Sequence, residues 1–120
     1  MIIPQTEWLV PTEYPDLRSA EEIAIDLETR DPDLKKLGSG AIIGNGEVVG
    51  IAVAVDGWKG YFPIAHEIGP NMDRKKVLDW FTDVCSSPAT KIFHNAMYDV
   101  CWIRNLGIKI NGLIVDTMIA

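Results

Sequence analysis

Ile23-Ala24-Ile25-Asp26-Leu27-Glu28-Thr29 is an apolar run that abruptly carries two carboxylates two residues apart. It reads as a buried strand that ends in chemistry. In a strand, residues i and i+2 point to the same face, so Asp26 and Glu28 project together while Ile23, Ile25 and Leu27 project to the other side. Two half-buried carboxylates left alone repel each other and one of their pKa values rises, whereas a divalent cation holds both ionised. Hard oxygen donors favour Mg²⁺ or Mn²⁺. The plainer alternative is a solvated turn or a helix cap, and Asp31-Pro32 just downstream is turn-like.

At 120 residues and 48% hydrophobic content the chain is sized for one domain with a moderate core. No apolar run approaches the roughly 18 to 20 residues of a membrane span, and Met1-Ile2-Ile3-Pro4 lacks the basic segment and long apolar stretch of a secretory signal. A soluble, cytoplasmic protein is expected. Cys85 and Cys101 stand at no metal-ligand spacing and read as buried thiols without a disulfide. The formal charge of −6 argues against a broad electrostatic grip on nucleic acid. It does not argue against an enzyme that holds a few terminal nucleotides and draws its positive charge from metal ions.

Residues 1 to 22 read as an irregular lead-in, because Pro4, Pro11 and Pro15 forbid a long helix. Asp16 is expected to cap a short helical turn over 17–21, and Trp8 and Leu9 to pack on the body. Arg30 to Glu47 is a long polar, Gly-rich connection leaving directly from the carboxylate pair, with Asn45-Gly46 as a turn signal and Ala41 to Ile43 expected to pair briefly with the next strand. Val48 to Val55 is a β-branched strand, Asp56-Gly57 a hairpin turn, and Lys59 to Ile64 the return strand. His66 reads as a surface residue rather than a ligand. Helical spacing runs over 72–85 with Asn71 or Asp73 as the N-cap, and Ser86-Ser87-Pro88 ends it. Lys91 to His94 suits a buried parallel strand, Asn95 to Leu106 a helix closed by Gly107, Leu113 to Val115 a last strand, and Asp116-Thr117 the start of a further helix.

Three hairpin-linked strands succeeded by alternating helix and strand give an α/β arrangement, a mixed sheet with helices on its faces. Right-handed crossovers run the later strands parallel to the first. The ends of the first strand and of the strand at 91–94 then lie together. Asn95 and Asp99, four apart on one helix face, can both look toward Asp26 and Glu28.

Asp26-Leu27-Glu28-Thr29, His94-Asn95-Ala96-Met97-Tyr98-Asp99 and Val115-Asp116-Thr117-Met118, in that order, resemble the 3′–5′ exonuclease domain of family A DNA polymerases, notably those of phages. This is the DEDD exonuclease superfamily, with a ribonuclease H-like fold, and the resemblance covers about residues 20 to 120. It implies that Asp26, Glu28 and Asp99 are catalytic, metal-ligating carboxylates for two Mg²⁺ or Mn²⁺ ions, with Asp26 shared between them. Glu28 is further expected to position the terminal 3′ hydroxyl. Thr29 and Asn95 would contact the substrate, a single-stranded DNA 3′ end. Tyr98 reads equally as a stacking wall of that site or as a core residue. Asp116 is expected to cap the following helix and is not counted as a ligand.

The resemblance also implies a polymerase domain in the parent protein. A third motif of the family, a Tyr or His with a fourth Asp a few residues later, belongs on a helix beyond Ala120, so the expectation is a C-terminally truncated exonuclease domain over 1–120 with weak or no activity alone. Self-association through the uncovered surface is a corollary. Two other functions share the same residues: an RNA-trimming exonuclease of the superfamily, and a non-catalytic ribonuclease H-like binding module.

Overall fold

The structure, a computed structural model, describes residues 10–118. Its elements are β1 (Glu22–Arg30), α1 (Leu34–Leu37), α2 (Gly40–Ile43), β2 (Glu47–Val55), β3 (Trp58–Pro63), α3 (Arg74–Ser86), β4 (Thr90–Phe93), α4 (Ala96–Asn105) and β5 (Ile114–Asp116). They form one five-stranded sheet in the order β3-β2-β1-β4-β5. The pairs β1–β2 and β2–β3 are antiparallel, and β1–β4 and β4–β5 are parallel. This mixed sheet with flanking helices is the expected α/β class and is compatible with a ribonuclease H-like fold. The expectations for Trp8 and Leu9 and for the end of the chain lie outside the described residues.

Alternation along β1 does what the sequence predicts. Ile23, Ile25 and Leu27 are buried, while Asp26 is half-buried and Glu28 exposed. The register carries this two-sidedness across the sheet. Leu27 faces Ile51, which faces Phe62, all on the core side; Asp26 faces Ala52, which faces Tyr61, on the other. The core side is covered by Val77, Trp80, Phe81, Val84 and Cys85 of α3, and the Trp80 and Phe62 rings lie 4.4 Å apart. Trp80 Nε1–H donates to Pro15 O at 2.7 Å, which fastens the lead-in to the body. Both cysteines are free.

Two local expectations need correction. Ala41 to Ile43 does not pair with β2; Gly40–Ile43 winds into a single helical turn instead. The cause is the Asp31 carboxylate, which accepts Gly40 N–H at 3.0 Å, and Gly44 closes the turn at φ 74°. The segment after Asp16 is a turn rather than a helix, although Asp16 caps it as expected, accepting Arg18 N–H at 3.0 Å. The choice of N-cap for α3 falls on Asp73, whose side chain accepts Lys76 N–H. Gly107, at φ 80°, lies just past the end of α4 and donates to Arg104 O at 2.9 Å.

Candidate metal and nucleic-acid site

β4 pairs with β1 only as far as Ala24, so the far half of that edge of β1 is open to the next element of the chain. That element is α4. Its Asp99 lies with its Oδ2 3.4 Å from Leu27 N, taking up a backbone donor that no strand reaches. Asp99 thereby comes, from the neighbouring element, close enough to Asp26 for the two charges to repel. Glu28 stands two residues along β1 on the same face.

The electrostatics are set by that placement. Asp99 is 4% exposed. Burial, reinforced by the Asp26 charge, pushes its carboxyl up to about 7, and one long N–H bond does little to offset this. Asp26 is raised as well, by burial first, with the Glu28 charge adding to it. Among the described residues no three His, Cys, Asp or Glu side chains are already gathered tightly enough to hold an ion. The donor set nonetheless suits a hard divalent cation: three carboxylates, two of them disfavoured as bare anions where they sit. Asp26, Glu28 and Asp99 are the residues that would hold it.

The opening of α4 is unusual. Asn95, its N-cap, is the one non-glycine residue at positive φ among those described, at φ 68° and ψ 63°, and its side chain makes no capping bond. The cap comes from β5. Asp116 accepts Asn95 N–H at 3.0 Å and Ala96 N–H at 2.9 Å, and also Met118 N–H at 3.0 Å. Burial works against the Asp116 charge, but these three donors outweigh it and hold the carboxyl below its usual value. The helix expected after Asp116 lies outside the described residues; the helix start that this carboxylate caps is that of α4. With capping done remotely, the exposed Asn95 amide is released from the helix. Strain held in this way at a strand–helix junction is characteristic of sites that contact ligands.

Asp116→Ala should lower the melting temperature by roughly 5 °C at neutral pH. Because the folded pKa is depressed, the wild-type advantage is present above the unfolded value of 3.8 and is lost as pH falls through the folded one. Thermal melts of both proteins at neutral pH and in strong acid check this.

Thr29 and Tyr98 are brought to each other. The Tyr98 hydroxyl donates to Asp31 Oδ2 at 2.8 Å and lies 2.8 Å from Thr29 Oγ1, while its ring packs on the core edge-on to Trp102. Tyr98 thus ties α4 to the segment leaving β1, and both hydroxyls are already engaged. Asp31, which the sequence offers only as a turn residue, is the hub of this tie. A β-bulge falls between Glu28 and Thr29, where Thr29 pairs with Val48 and Val49 is left over. Bulges are common beside active sites because they re-aim side chains.

Fold and site together define an α/β domain in which α4 brings Asp99 to β1, the strand where the parallel and antiparallel halves of the mixed sheet meet. The chain is 46% identical, over 77 residues, to a DNA-directed DNA polymerase of Pseudomonas phage M6, a match covering 61% of the chain and 12% of that polymerase. The similarity supports a polymerase-related protein that spans about an eighth of this relative's length. No family model matches the chain. Among the described residues, no helix is long and apolar enough to cross a membrane.

Proposed function

We propose that the chain carries the carboxylate site of a metal-dependent 3′–5′ exonuclease that trims DNA 3′ ends, in a protein that also holds a DNA polymerase. The observation that carries this reading is Asp99, a buried carboxylate delivered by α4 to the edge of β1 beside Asp26. Similarity to a phage DNA polymerase supports the nucleic-acid class of substrate.

Two Mg²⁺ or Mn²⁺ ions, when bound, would supply an activated water and neutralise charge on the scissile phosphate and the leaving 3′ oxygen. The residues divide the remaining work. Asp26 and Asp99, on different elements, fix the depth of the site on β1 beyond its pairing with β4. Glu28, exposed on the same strand, faces the entering strand end and can hold the terminal 3′ hydroxyl. Asn95 presents an uncommitted amide at the α4 start, suited to a phosphate or sugar oxygen. Thr29 and Tyr98 act from behind, keeping α4 at its distance from β1. A frayed single strand suits so acidic a chain, because it demands contact with a few nucleotides rather than a long basic groove.

The test is release of labelled mononucleotide from a 3′-labelled single-stranded DNA with Mn²⁺, beside the same sequence in RNA and beside Asp26→Ala. Release from DNA that disappears in Asp26→Ala is the expected result. Preference for RNA would move the site to an RNA-trimming enzyme. Equal release by both proteins would contradict the nuclease reading, and no release either from this chain or from the longer polymerase-bearing protein would favour a binding module.

A further inference from the structure

The carboxylate face of the sheet carries another polar group, supplied by β3. Asp26 pairs with Ala52 and Ala52 with Tyr61; Glu28 pairs with Gly50 and Gly50 with Pro63. Directly opposed residues on antiparallel neighbours share a face, so Tyr61 stands on the side of Asp26 and Glu28, while Phe62 next to it enters the core. The Tyr61 ring leans along the sheet. A Cβ built on Gly50 would lie 1.8 Å from the Tyr61 hydroxyl, which therefore rests directly on the residue paired with Glu28. One strand spacing, about 5 Å, separates that residue from Glu28.

The hydroxyl is held there from behind. His66 Nε2 is hydrogen-bonded to it, with the two rings edge-on at 5.6 Å. His66 is itself clamped: its N–H donates to Asn71 Oδ1 at 2.8 Å, and Asn71 Nδ2 donates to its carbonyl at 3.0 Å. The chain entering His66 is pinned to the bulge, since Ile64 and Ala65 N–H both donate to the carbonyl of the unpaired Val49. A missing side chain at Gly50, a bulge at Val49 and an Asn71 clamp all fix one phenolic oxygen. Burial, with the charges of Glu28 and Asp26 adding to it, raises the Tyr61 pKa, so the phenol keeps its proton.

We propose that Tyr61, oriented by His66, is a positioning residue for Glu28, its hydroxyl donating a hydrogen bond to the Glu28 carboxylate as that carboxylate turns inward to share a divalent cation with Asp26. This rests on the reading of Asp26, Glu28 and Asp99 as a cation site. His66 in its Nε2–H form donates to the phenolic oxygen, which leaves the phenolic proton for Glu28. A ligating carboxylate held by such a donor binds its ion more tightly because one orientation is already selected.

Calorimetric titration of the chain with Mn²⁺ tests the proposal, with thermal melting in chelator as the measure of fold. Tyr61→Phe should weaken Mn²⁺ binding about 10-fold while the melting temperature in chelator stays near wild type. His66→Ala should reproduce the loss, and His66→Gln, which keeps a donor nitrogen, should recover most of it. Gly50→Ala, which displaces the hydroxyl without removing it, should also weaken binding. Wild-type affinity in Tyr61→Phe and His66→Ala, with binding lost in Asp26→Ala, would overturn the role of Tyr61 and leave the cation site standing. Unchanged affinity in Asp26→Ala would remove the cation site itself.

Discussion

Asp99→Asn should make the cation-free protein more stable at alkaline pH and, at the same time, deaf to divalent cations. The Asp99 carboxyl is buried beside Asp26 and receives one N–H at 3.4 Å, so its pKa rises to about 7 from 3.8. A folded pKa above the unfolded value stabilises the fold below the unfolded value. That contribution is lost progressively as pH rises through about 7. At alkaline pH the wild type therefore holds an ionised, poorly compensated carboxylate. The amide of the variant carries no charge, still accepts Leu27 N–H and can donate to Asp26. A gain of about 2 kcal/mol is expected in chelator above pH 7, vanishing in acid. Mn²⁺ at about 100 times its dissociation constant should stabilise the wild type by about 2.7 kcal/mol and leave the variant unmoved. Thermal melts across pH, with chelator and with Mn²⁺, check both halves.

Phe62→Ala should produce the largest loss of stability. Phe62 is fully buried, 4.4 Å from the Trp80 ring and 5.9 Å from that of Tyr14, and it faces Ile51 across the sheet. Its removal leaves a ring-sized cavity between the sheet and α3. The cost is about 4 kcal/mol, a large part of the roughly 5 to 15 kcal/mol that holds a domain together. Tyr14, stacked on the same ring, then loses its seat, so the lead-in should loosen with the core. Urea unfolding should show the midpoint falling while the slope stays constant, and proteolysis should cut first in the lead-in.

The sequence reads well where structure is periodic. Alternation told the faces of Ile23, Ile25 and Leu27 against those of Asp26 and Glu28, and Asp56-Gly57 marked the hairpin that places β3 at the edge. Asp26, Glu28 and Asp99 could be nominated from spacing and order of elements, and the structure brings Asp99 to β1 beside Asp26. The features that escaped have no local signal. Asp31 folds the 31–46 connection by reaching Gly40 nine residues away, and holds Tyr98 from a different element. Asn95 can adopt a left-handed backbone because its helix is capped by Asp116, which spacing along α4 cannot reveal. His66 read as an ordinary surface residue. Its bond to Tyr61 depends on a bulge and on strand register, which are properties of the paired sheet rather than of either strand.

Anomalous diffraction from crystals soaked in Mn²⁺ tests the central claim most directly. Peaks bounded by the carboxylates of Asp26, Glu28 and Asp99 are expected, and they should be absent from Asp26→Ala crystals soaked in the same way. A saturated soak with no peak at these residues, or with manganese bound elsewhere and untouched by Asp26→Ala, would contradict a cation site built from these three carboxylates.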